Sequence, residues 1–358
     1  MKLFSEYQLG DLTLNNRVVM APMTRSRAID NIPNSLMATY YGQRAAAGLI
    51  ITEGTAPSAN GLGYTRIPGM FSADQIAGWQ KVTEAVHAKG GKIFVQLMHT
   101  GRAAHPDNMP DGAEIVAPSA IALSGDMYTD TKGPQPHPVP REMTAADIDQ
   151  AREEYVQASR NAIMAGFDGV ELHGANGYLI EQFLNPASNQ RTDDYGGSVA
   201  NRNRFAVEVA RDVAQAIGAN KTGIRLSPFG VFNDISIYEG LEDAFVALAA
   251  ELKSIGLIYL HLVDHSTMGT PEVPAAVKQR IRDAFGGSYI ASGGLDTKKA
   301  EAILQSGEAE LTAFGRPYLA NPDLVHRLQQ GLPLNEPDHQ TFYTPGEKGY
   351  TDYPLATA

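Results

Sequence analysis

Three hydrogen-bonding side chains lie close together after one short apolar segment, Gly169–His173. His173 and Asn176 can each donate a hydrogen bond, so the pair could hold a single carbonyl or nitro oxygen. Tyr178 lies two residues further on and can release a phenolic proton. No metal site is expected here, because Asn is a weak ligand and no second His or carboxylate has a ligand spacing nearby. The alternative for His173 is a histidine whose hydrogen bonds are satisfied within the core.

Two glycine-containing turns predict a phosphate site. Gly293-Gly294 follows one apolar segment, and Gly315-Arg316 follows the next. Glycine lets backbone N–H groups approach an anion, and the arginine adds a fixed positive charge. The glycine pair alone would be weak evidence, because turns between strands and helices often require glycine. Its combination with Arg316 indicates phosphate binding.

Arg225 lies in a further apolar segment, where the neighbouring polar groups are mostly neutral amides. A planar cation there could stabilise negative charge on a bound ring. One unit charge at about 4 Å contributes roughly 4 kcal/mol at an effective dielectric constant near 20. The alternative is an arginine paired with an acid for stability.

Eight short β-branched segments must position these groups, and each is followed by a segment of helical periodicity. Strands alternating with helices predict parallel βαβ units, and eight such units close into a (β/α)8 TIM barrel of the α/β class. Residues 1–358 are therefore expected to form one domain, with the site at the carboxyl ends of the strands. The predicted strands are Arg17–Ala21, Leu49–Glu53, Lys92–Leu97, Gly169–His173, Thr222–Leu226, Ile258–Val263, Ser288–Ala291 and Glu310–Phe314.

Capping residues mark several of the helices between these strands. Ser72 begins a Ser-x-x-Gln box, and Thr144 and Ser198 precede two further periodic segments. Thr297 is expected to begin a helix that ends at Gly307. Trp79 falls at a core position of the helix after Ser72.

One connection is much longer than the others. Residues 101–142 follow the third strand, and seven of the 21 prolines lie between Pro106 and Pro140. A long proline-stiffened loop in a compact domain is typical of a functional lid, and we expect it to cover the barrel mouth. The alternative is an insertion without a role in the site.

Composition excludes several classes of function. The chain has no cysteine, which excludes disulfides, Cys-ligated metals and Cys nucleophiles. Its formal charge is −11 with no basic cluster, which argues against nucleic acid or anionic membranes as partners. Hydrophobic residues make up 43% of the chain, enough for a sizeable core, but no apolar run is long enough to span a membrane or to serve as a signal peptide. A cytoplasmic protein without an obligate protein partner is expected.

Several longer motifs resemble the Old Yellow Enzyme family, in particular its bacterial N-ethylmaleimide reductase and pentaerythritol tetranitrate reductase branch. The resemblance extends from Leu3 to Pro354. The motifs that carry it are Ala21-Pro22-Met23-Thr24-Arg25, Gln96-Leu97, the stretch from Glu171 to Leu179, the run from Asn185 to Ser198, Phe314-Gly315-Arg316, Asn321-Pro322-Asp323-Leu324 and the stretch from Gly349 to Pro354.

The resemblance implies non-covalent FMN as the cofactor and NADPH or NADH as the reductant. Pro22 and Thr24 would contact the C4=O side of the flavin, and Arg225 would face N1 and O2. The pyrimidine edge would be held by Gly54 and Gln96. The residues implied for the phosphate are Gly294, Gly315 and Arg316.

The resemblance also implies an activity, the reduction of activated alkenes such as enones, maleimides and nitroalkenes, with nitrate esters or nitro groups as further substrates. His173 and Asn176 would bind the activating group, and Tyr178 would donate the proton. Tyr64 and Tyr343 match positions that line the substrate pocket. Met98 is a departure, because family members commonly have tryptophan there, and the exchange affects substrate size and face selection.

Three other functions remain as alternatives. A Schiff-base aldolase would need a lysine at the carboxyl end of a strand, whereas Lys92 begins its strand. The dienoyl-CoA reductases have a similar barrel but an iron–sulfur cluster, which a chain without cysteine cannot ligate in the same way. A catalytically silent flavin-binding or scaffold barrel is the third alternative.

Overall fold

A closed barrel of eight parallel strands forms the centre of the computed structural model, which describes residues 1–356. Each strand pairs with the next in sequence, and strand 8 closes the barrel on strand 1, with Thr312 opposite Val18. The predicted (β/α)8 barrel is confirmed, and the strand ends differ from expectation only slightly. Strands 1 to 8 are Val18–Met20, Leu49–Thr55, Ile93–Leu97, Gly169–Gly174, Thr222–Leu226, Tyr259–Val263, Ser288–Ser292 and Leu311–Phe314.

Helices surround the barrel, and none within residues 1–356 is long and apolar enough to cross a membrane. The α-helices are Ser35–Gln43, Ala73–His87, Ala145–Met164, Leu179–Leu184, Val199–Ile217, Leu241–Ile255, Ala275–Phe285, Thr297–Ser306, Arg316–Ala320 and Leu324–Gln330.

The predicted helix caps are present at three helices. Ser72, Thr144 and Ser198 each accept a hydrogen bond from a backbone N–H in the first helical turn. At the fourth, the N-cap is Asp296, one residue before Thr297, because its carboxylate accepts the Lys299 N–H at 2.7 Å. A cap of this type contributes about 1 kcal/mol to stability.

The interior of the barrel is a separate apolar cluster, closed at its amino-terminal end by a hairpin. The hairpin strands, Tyr7–Leu9 and Leu12–Leu14, place Leu9 and Leu14 against inward-facing residues of the barrel. A larger cluster lies between the strands and the surrounding helices and includes Trp79, as expected. The amino-terminal end is thus filled, which leaves the carboxyl ends of the strands for a site.

The excursion 101–142 contains short strands of its own. Val116–Ala117 pairs with Arg141–Glu142, and Asp126–Thr129 forms a hairpin with Gly133–Pro136. Asp130 in that hairpin forms a salt bridge with Arg66, in the loop after strand 2. This salt bridge and a hydrogen bond from Asn108 to the Gly63 carbonyl oxygen join the excursion to the loop after strand 2.

Candidate active site

A cavity of about 690 Å³ opens at the carboxyl ends of the barrel strands. Its wall includes residues from the loops after strands 1, 4, 6, 7 and 8, together with Arg225 of strand 5 and a carboxyl-terminal segment that contains Phe342. The excursion 101–142 contributes no residue to this wall, so its role as a lid stays a prediction.

Eight of the predicted site residues line the cavity: Pro22, Thr24, Asn176, Arg225, Gly294, Gly315, Arg316 and Tyr343. The other six are not on its wall: Gly54, Gln96, His173, Tyr178, Tyr64 and Met98.

Gly54 and Met98 lie against each other at the ends of strands 2 and 3. A Cβ on Gly54 would lie 2.5 Å from the Met98 sulfur, so only glycine fits there without movement. Met98 is almost fully buried and packs in a small cluster with Tyr64 and Tyr178. Met98 therefore supports the two tyrosines instead of facing the open cavity.

Gln96 belongs to a buried hydrogen-bond network on the inner face of the barrel. Its Nε2 donates to Oε1 of Glu171 at 2.8 Å, and Nδ1 of His261 donates to Oε2 of the same carboxylate at 2.9 Å. Burial lowers the pKa of His261, although the carboxylate opposes the shift. The network fixes the Gln96 amide with its oxygen free to accept a hydrogen bond.

Arg225 brings a positive charge to the base of the cavity. It lies opposite His173 in the register between strands 4 and 5, and its Nε has no hydrogen-bond partner among residues 1–356. Burial lowers its pKa, while Glu171 nearby favours the charged form. A buried N–H without a partner costs free energy, so Arg225 is suited to an anionic or carbonyl ligand.

The loop after strand 4 has a backbone that few residue types can adopt. Asn176 and Gly177 both have positive φ, at 61° and 73°. A Cβ on Gly177 would lie 2.5 Å from the carbonyl oxygen of Phe232, so glycine is required there. The Gly177 N–H donates to Glu181 at 2.6 Å, and the Asn176 N–H donates to Ser227 Oγ at 2.9 Å. These contacts hold Asn176 at the cavity wall.

Tyr178 and His173 lie beside each other next to the cavity. Their rings make an edge contact with centroids 5.0 Å apart, and the Tyr178 hydroxyl donates to the Tyr64 hydroxyl at 3.3 Å. Burial raises the pKa of Tyr178 well above its usual value, and the neighbouring Tyr64 adds to the shift. Burial and the positive Arg225 lower the pKa of His173 well below its usual value. At neutral pH both side chains are therefore uncharged donors.

The predicted phosphate end contains glycines of two kinds. Gly294 has a φ of 58°, and a Cβ there would overlap the Thr267 side chain, so the fold itself favours glycine. At Gly315 a Cβ would meet only the Met23 sulfur at 3.7 Å, so the space left there belongs to the cavity. The exposed Arg316 side chain has no hydrogen-bond or salt-bridge partner within residues 1–356. This end of the cavity is suited to an anion.

The carboxyl-terminal segment reaches the cavity because a buried arginine anchors it. Arg27 donates to the carbonyl oxygens of Thr341 and Phe342, both at 2.7 Å. Phe342 and Tyr343 then line the cavity, with 61% of Tyr343 exposed. Tyr343 is thus an outer wall of the site.

Several residues at the site or in contact with it were not predicted from the sequence. The glutamate and histidine that fix Gln96 were not identified, nor was His265, which lines the cavity and hydrogen-bonds to Asn176. Strand 6 and the loop after it carry both histidines in the segment His261-Leu262-Val263-Asp264-His265. Polar residues in an otherwise apolar strand were the signal that could have found them. Within residues 1–356, no group of His, Asp or Glu residues could hold a metal ion.

Comparison with known proteins decides the family. A model of the NADH:flavin oxidoreductase / NADH oxidase family matches residues 2–335. The chain belongs to this family. A probable flavin mononucleotide-dependent alkene reductase of Leishmania infantum is 43% identical over 354 residues, which cover 97% of this chain and 95% of the relative. 12-Oxophytodienoate reductase 7 of Oryza sativa is 40% identical over 373 residues, covering 99% of this chain and 94% of the relative.

Solved structures of family members have the same fold over their whole length. Morphinone reductase is 45% identical with a TM-score of 0.95, covering 99% of this chain and 96% of that chain. An Old Yellow Enzyme homologue from Zymomonas mobilis is 38% identical with a TM-score of 0.94, covering 99% and 100%. The resemblance to the Old Yellow Enzyme family is thus confirmed. This family member is an FMN-dependent, NAD(P)H-dependent oxidoreductase of the ene-reductase type.

The residues of the cavity fit FMN. The unpaired Arg316 and the open space at Gly315 are suited to the terminal phosphate, and the buried unpaired Nε of Arg225 is suited to the electron-rich edge of the ring. Gln96, which is not on the cavity wall, has its amide nitrogen held by Glu171, and this leaves its oxygen as the group suited to accept from a ring N–H. These residues lie on different strands but meet at one end of the barrel.

Proposed function

We propose that this enzyme reduces the carbon–carbon double bond of activated alkenes, namely enones, maleimides and nitroalkenes, with NADH or NADPH as the reductant. The observation that carries the proposal is the uncharged Tyr178 phenol beside the His173 ring, next to a cavity into which Asn176 projects. Nitrate esters and nitro groups are further candidate substrates, because the same donors suit their oxygens.

The nicotinamide reductant is supported by a relative. Morphinone reductase has been solved in complex with tetrahydroNAD. FMN, held by Arg225, Gly315 and Arg316, would supply the hydride-transfer chemistry between the nicotinamide and the β-carbon of the alkene. The reductant and the alkene would then use the same cavity in turn.

His173 and Asn176 would bind the substrate's activating oxygen. The Asn176 side-chain nitrogen has no protein partner among residues 1–356, and the buried His173 is neutral and keeps one ring N–H to donate. As the β-carbon gains a hydride, negative charge develops on the carbonyl oxygen. Preorganised donors stabilise this charge at the moment it forms.

Tyr178 would protonate the α-carbon. Its raised pKa keeps the phenol protonated at neutral pH, so the proton is available when the enolate forms. The Tyr64 hydroxyl, 3.3 Å away, would support the phenolate that remains until solvent restores the proton. Arg225 would supply a positive charge toward the ring and the substrate from below.

The function is tested by anaerobic turnover of the purified flavoprotein against 2-cyclohexenone, N-ethylmaleimide, a nitroalkene and a nitrate ester, each with NADH and with NADPH. We expect saturated products from the first three substrates. If the nicotinamide reduces the enzyme but none of these substrates is consumed, the proposal is wrong, and the chain is a flavin-binding protein without ene-reductase activity.

A further inference from the structure

One contact of Asn176 comes from the loop after strand 6, two strands along the barrel. His265 follows strand 6 and lines the cavity, and its Nε2 lies 2.7 Å from Oδ1 of Asn176. The two residues follow strands 4 and 6, which are separated only by strand 5, so the parallel order of the strands brings their loops together. His265 was not predicted from the sequence to have a role.

The hydrogen bonds of Asn176 leave one group free. Its backbone N–H donates to Ser227, its backbone carbonyl accepts from Asn233 at 2.7 Å, and its Oδ1 accepts from His265. Only the side-chain NH2 has no partner among residues 1–356. Since Asn176 lines the cavity, this NH2 is the group left for a ligand.

The orientation of an asparagine amide depends on its partners. A half-turn of the amide exchanges its oxygen and nitrogen, and an oxygen ligand requires the nitrogen to face the cavity. A neutral imidazole that meets the amide oxygen must carry its hydrogen on Nε2. Burial, followed by the nearby Arg225, lowers the pKa of His265 to about 4, so the ring is neutral under ordinary conditions. In the structure Oδ1 of Asn176 faces His265 Nε2, so the Nε2–H tautomer of His265 holds the amide in the orientation that turns its NH2 toward an oxygen ligand.

The His265 ring is itself held in place. Phe232 makes an edge contact with it, with centroids 4.8 Å apart. The preceding residue, Asp264, accepts the Ser266 N–H at 2.9 Å and forms a 2.6 Å salt bridge with Lys278. The loop is therefore anchored on both sides of the histidine, as a positioning role requires.

We propose that His265 is a positioning residue, which holds the Asn176 amide with its NH2 toward the activating oxygen of the substrate. The inference rests on the proposed function, because it takes Asn176 as a substrate donor. It predicts that His265 acts on oxygen ligands only through Asn176.

The experiment is a double-mutant cycle on the FMN-loaded enzyme, with the dissociation constant of 4-chlorophenol measured by calorimetry. A phenolate oxygen resembles the substrate oxygen as it gains charge. His265→Phe keeps a ring against Phe232 but removes the donor, and we expect about three- to tenfold weaker binding. His265→Gln restores an N–H donor and should recover most of the affinity. In an Asn176→Ala background, His265→Phe should have no further effect.

The outcomes separate this inference from the proposed function. If His265→Phe weakens binding equally in the Asn176→Ala background, His265 contacts the ligand itself and the inference is wrong. If Asn176→Ala weakens binding but His265→Phe does not, only the inference is wrong. If Asn176→Ala has no effect, the substrate-binding role of Asn176 in the proposed function is wrong. His326→Phe, on an exposed helix surface, is the matched control, and His265→Leu repeats the test if phenylalanine prevents folding.

Discussion

The hydroxyl of Tyr178 donates a hydrogen bond to the hydroxyl of Tyr64 across 3.3 Å, with the two rings edge to face. The loops that carry them follow strands 4 and 2. The contact gives Tyr178, the proposed proton donor, a neutral partner that favours the protonated phenol. After proton transfer, the Tyr64 hydroxyl can stabilise the Tyr178 phenolate.

Tyr178→Phe should slow alkene reduction while leaving flavin reduction by NAD(P)H nearly unchanged, because only the second half-reaction needs a proton donor. The expected loss is about 10²–10⁴-fold, the usual contribution of general acid catalysis. Stopped-flow absorbance under anaerobic conditions follows the two half-reactions separately. Equal losses in both would mean that Tyr178 positions the nicotinamide or supports the fold.

Tyr64→Phe is the control for Tyr178→Phe, because it removes the same hydroxyl–hydroxyl hydrogen bond from the other side. It removes one neutral hydrogen bond but leaves the Tyr178 proton in place, so we expect only about a three- to tenfold loss in the second half-reaction. A loss as large as that of Tyr178→Phe would contradict the assignment of Tyr178 as the donor.

Arg316→Gln should weaken FMN binding. The Arg316 guanidinium has no partner within residues 1–356, and hydrogen bonds to charged groups contribute about 1.5–3 kcal/mol each, which corresponds to roughly 10- to 100-fold in affinity. Titration of the apoprotein with FMN, followed by quenching of flavin fluorescence, measures the change. Lys298→Gln is the control, because this exposed lysine is not on the cavity wall. Heat release of FAD from the purified protein would contradict the cofactor site as described.

Met98→Trp should change the selectivity of the enzyme through Tyr64 and Tyr178. Met98 is buried against Gly54 and packs in the same cluster as both tyrosines, so the larger rigid indole must displace one of them. A difference of only about 1.4 kcal/mol between two substrate poses alters a product ratio tenfold.

Chiral chromatography of the product from a substituted cyclohexenone measures the effect, with unsubstituted cyclohexenone as the reference substrate. Met98→Leu, which conserves volume, should leave both rate and enantiomeric excess close to those of the native enzyme. Unchanged selectivity in Met98→Trp would show that the cluster does not shape the productive pose.

Glu181 should make folding stability depend on pH. Burial raises its pKa from 4.5 to about 8, while hydrogen bonds from Gly177 and Ser227 oppose the shift. As the pH rises above 4.5 the unfolded chain loses this proton first. The protonated Glu181 therefore contributes its full share to the free energy of unfolding below pH 4.5, and this contribution is lost as the pH rises to about 8.

Urea unfolding between about pH 5 and pH 9 tests this dependence, because most of the change in stability falls between the two pKa values. Glu181→Gln cannot ionise, so its stability relative to the native chain should increase with pH across this window. Glu153→Gln, at an exposed position, should follow the native chain. A constant difference between native and Glu181→Gln proteins would show that Glu181 keeps an ordinary pKa in the folded state.

The amino-acid sequence determined the barrel and the location of the site. Each strand is a short β-branched segment with capped helices around it, and these are local signals in the chain. The ends of those strands carried Arg225, Asn176 and Arg316, and parallel strands bring their carboxyl ends to one mouth. Pattern and topology were thus sufficient to locate the cavity and eight of the residues on its wall.

Only the tertiary structure decided how those groups are partnered. The bond from His265 to Asn176 and the network from Gln96 through Glu171 to His261 join residues that are far apart in sequence. The sequence of a single chain does not show such pairs, because hydrogen-bond partners are set by the distances between strands. The burial that shifts a pKa depends on the same distances. For the same reason, the burial of Met98 in one cluster with Tyr64 and Tyr178 is visible only in the structure, and its role in the substrate pocket stays a prediction.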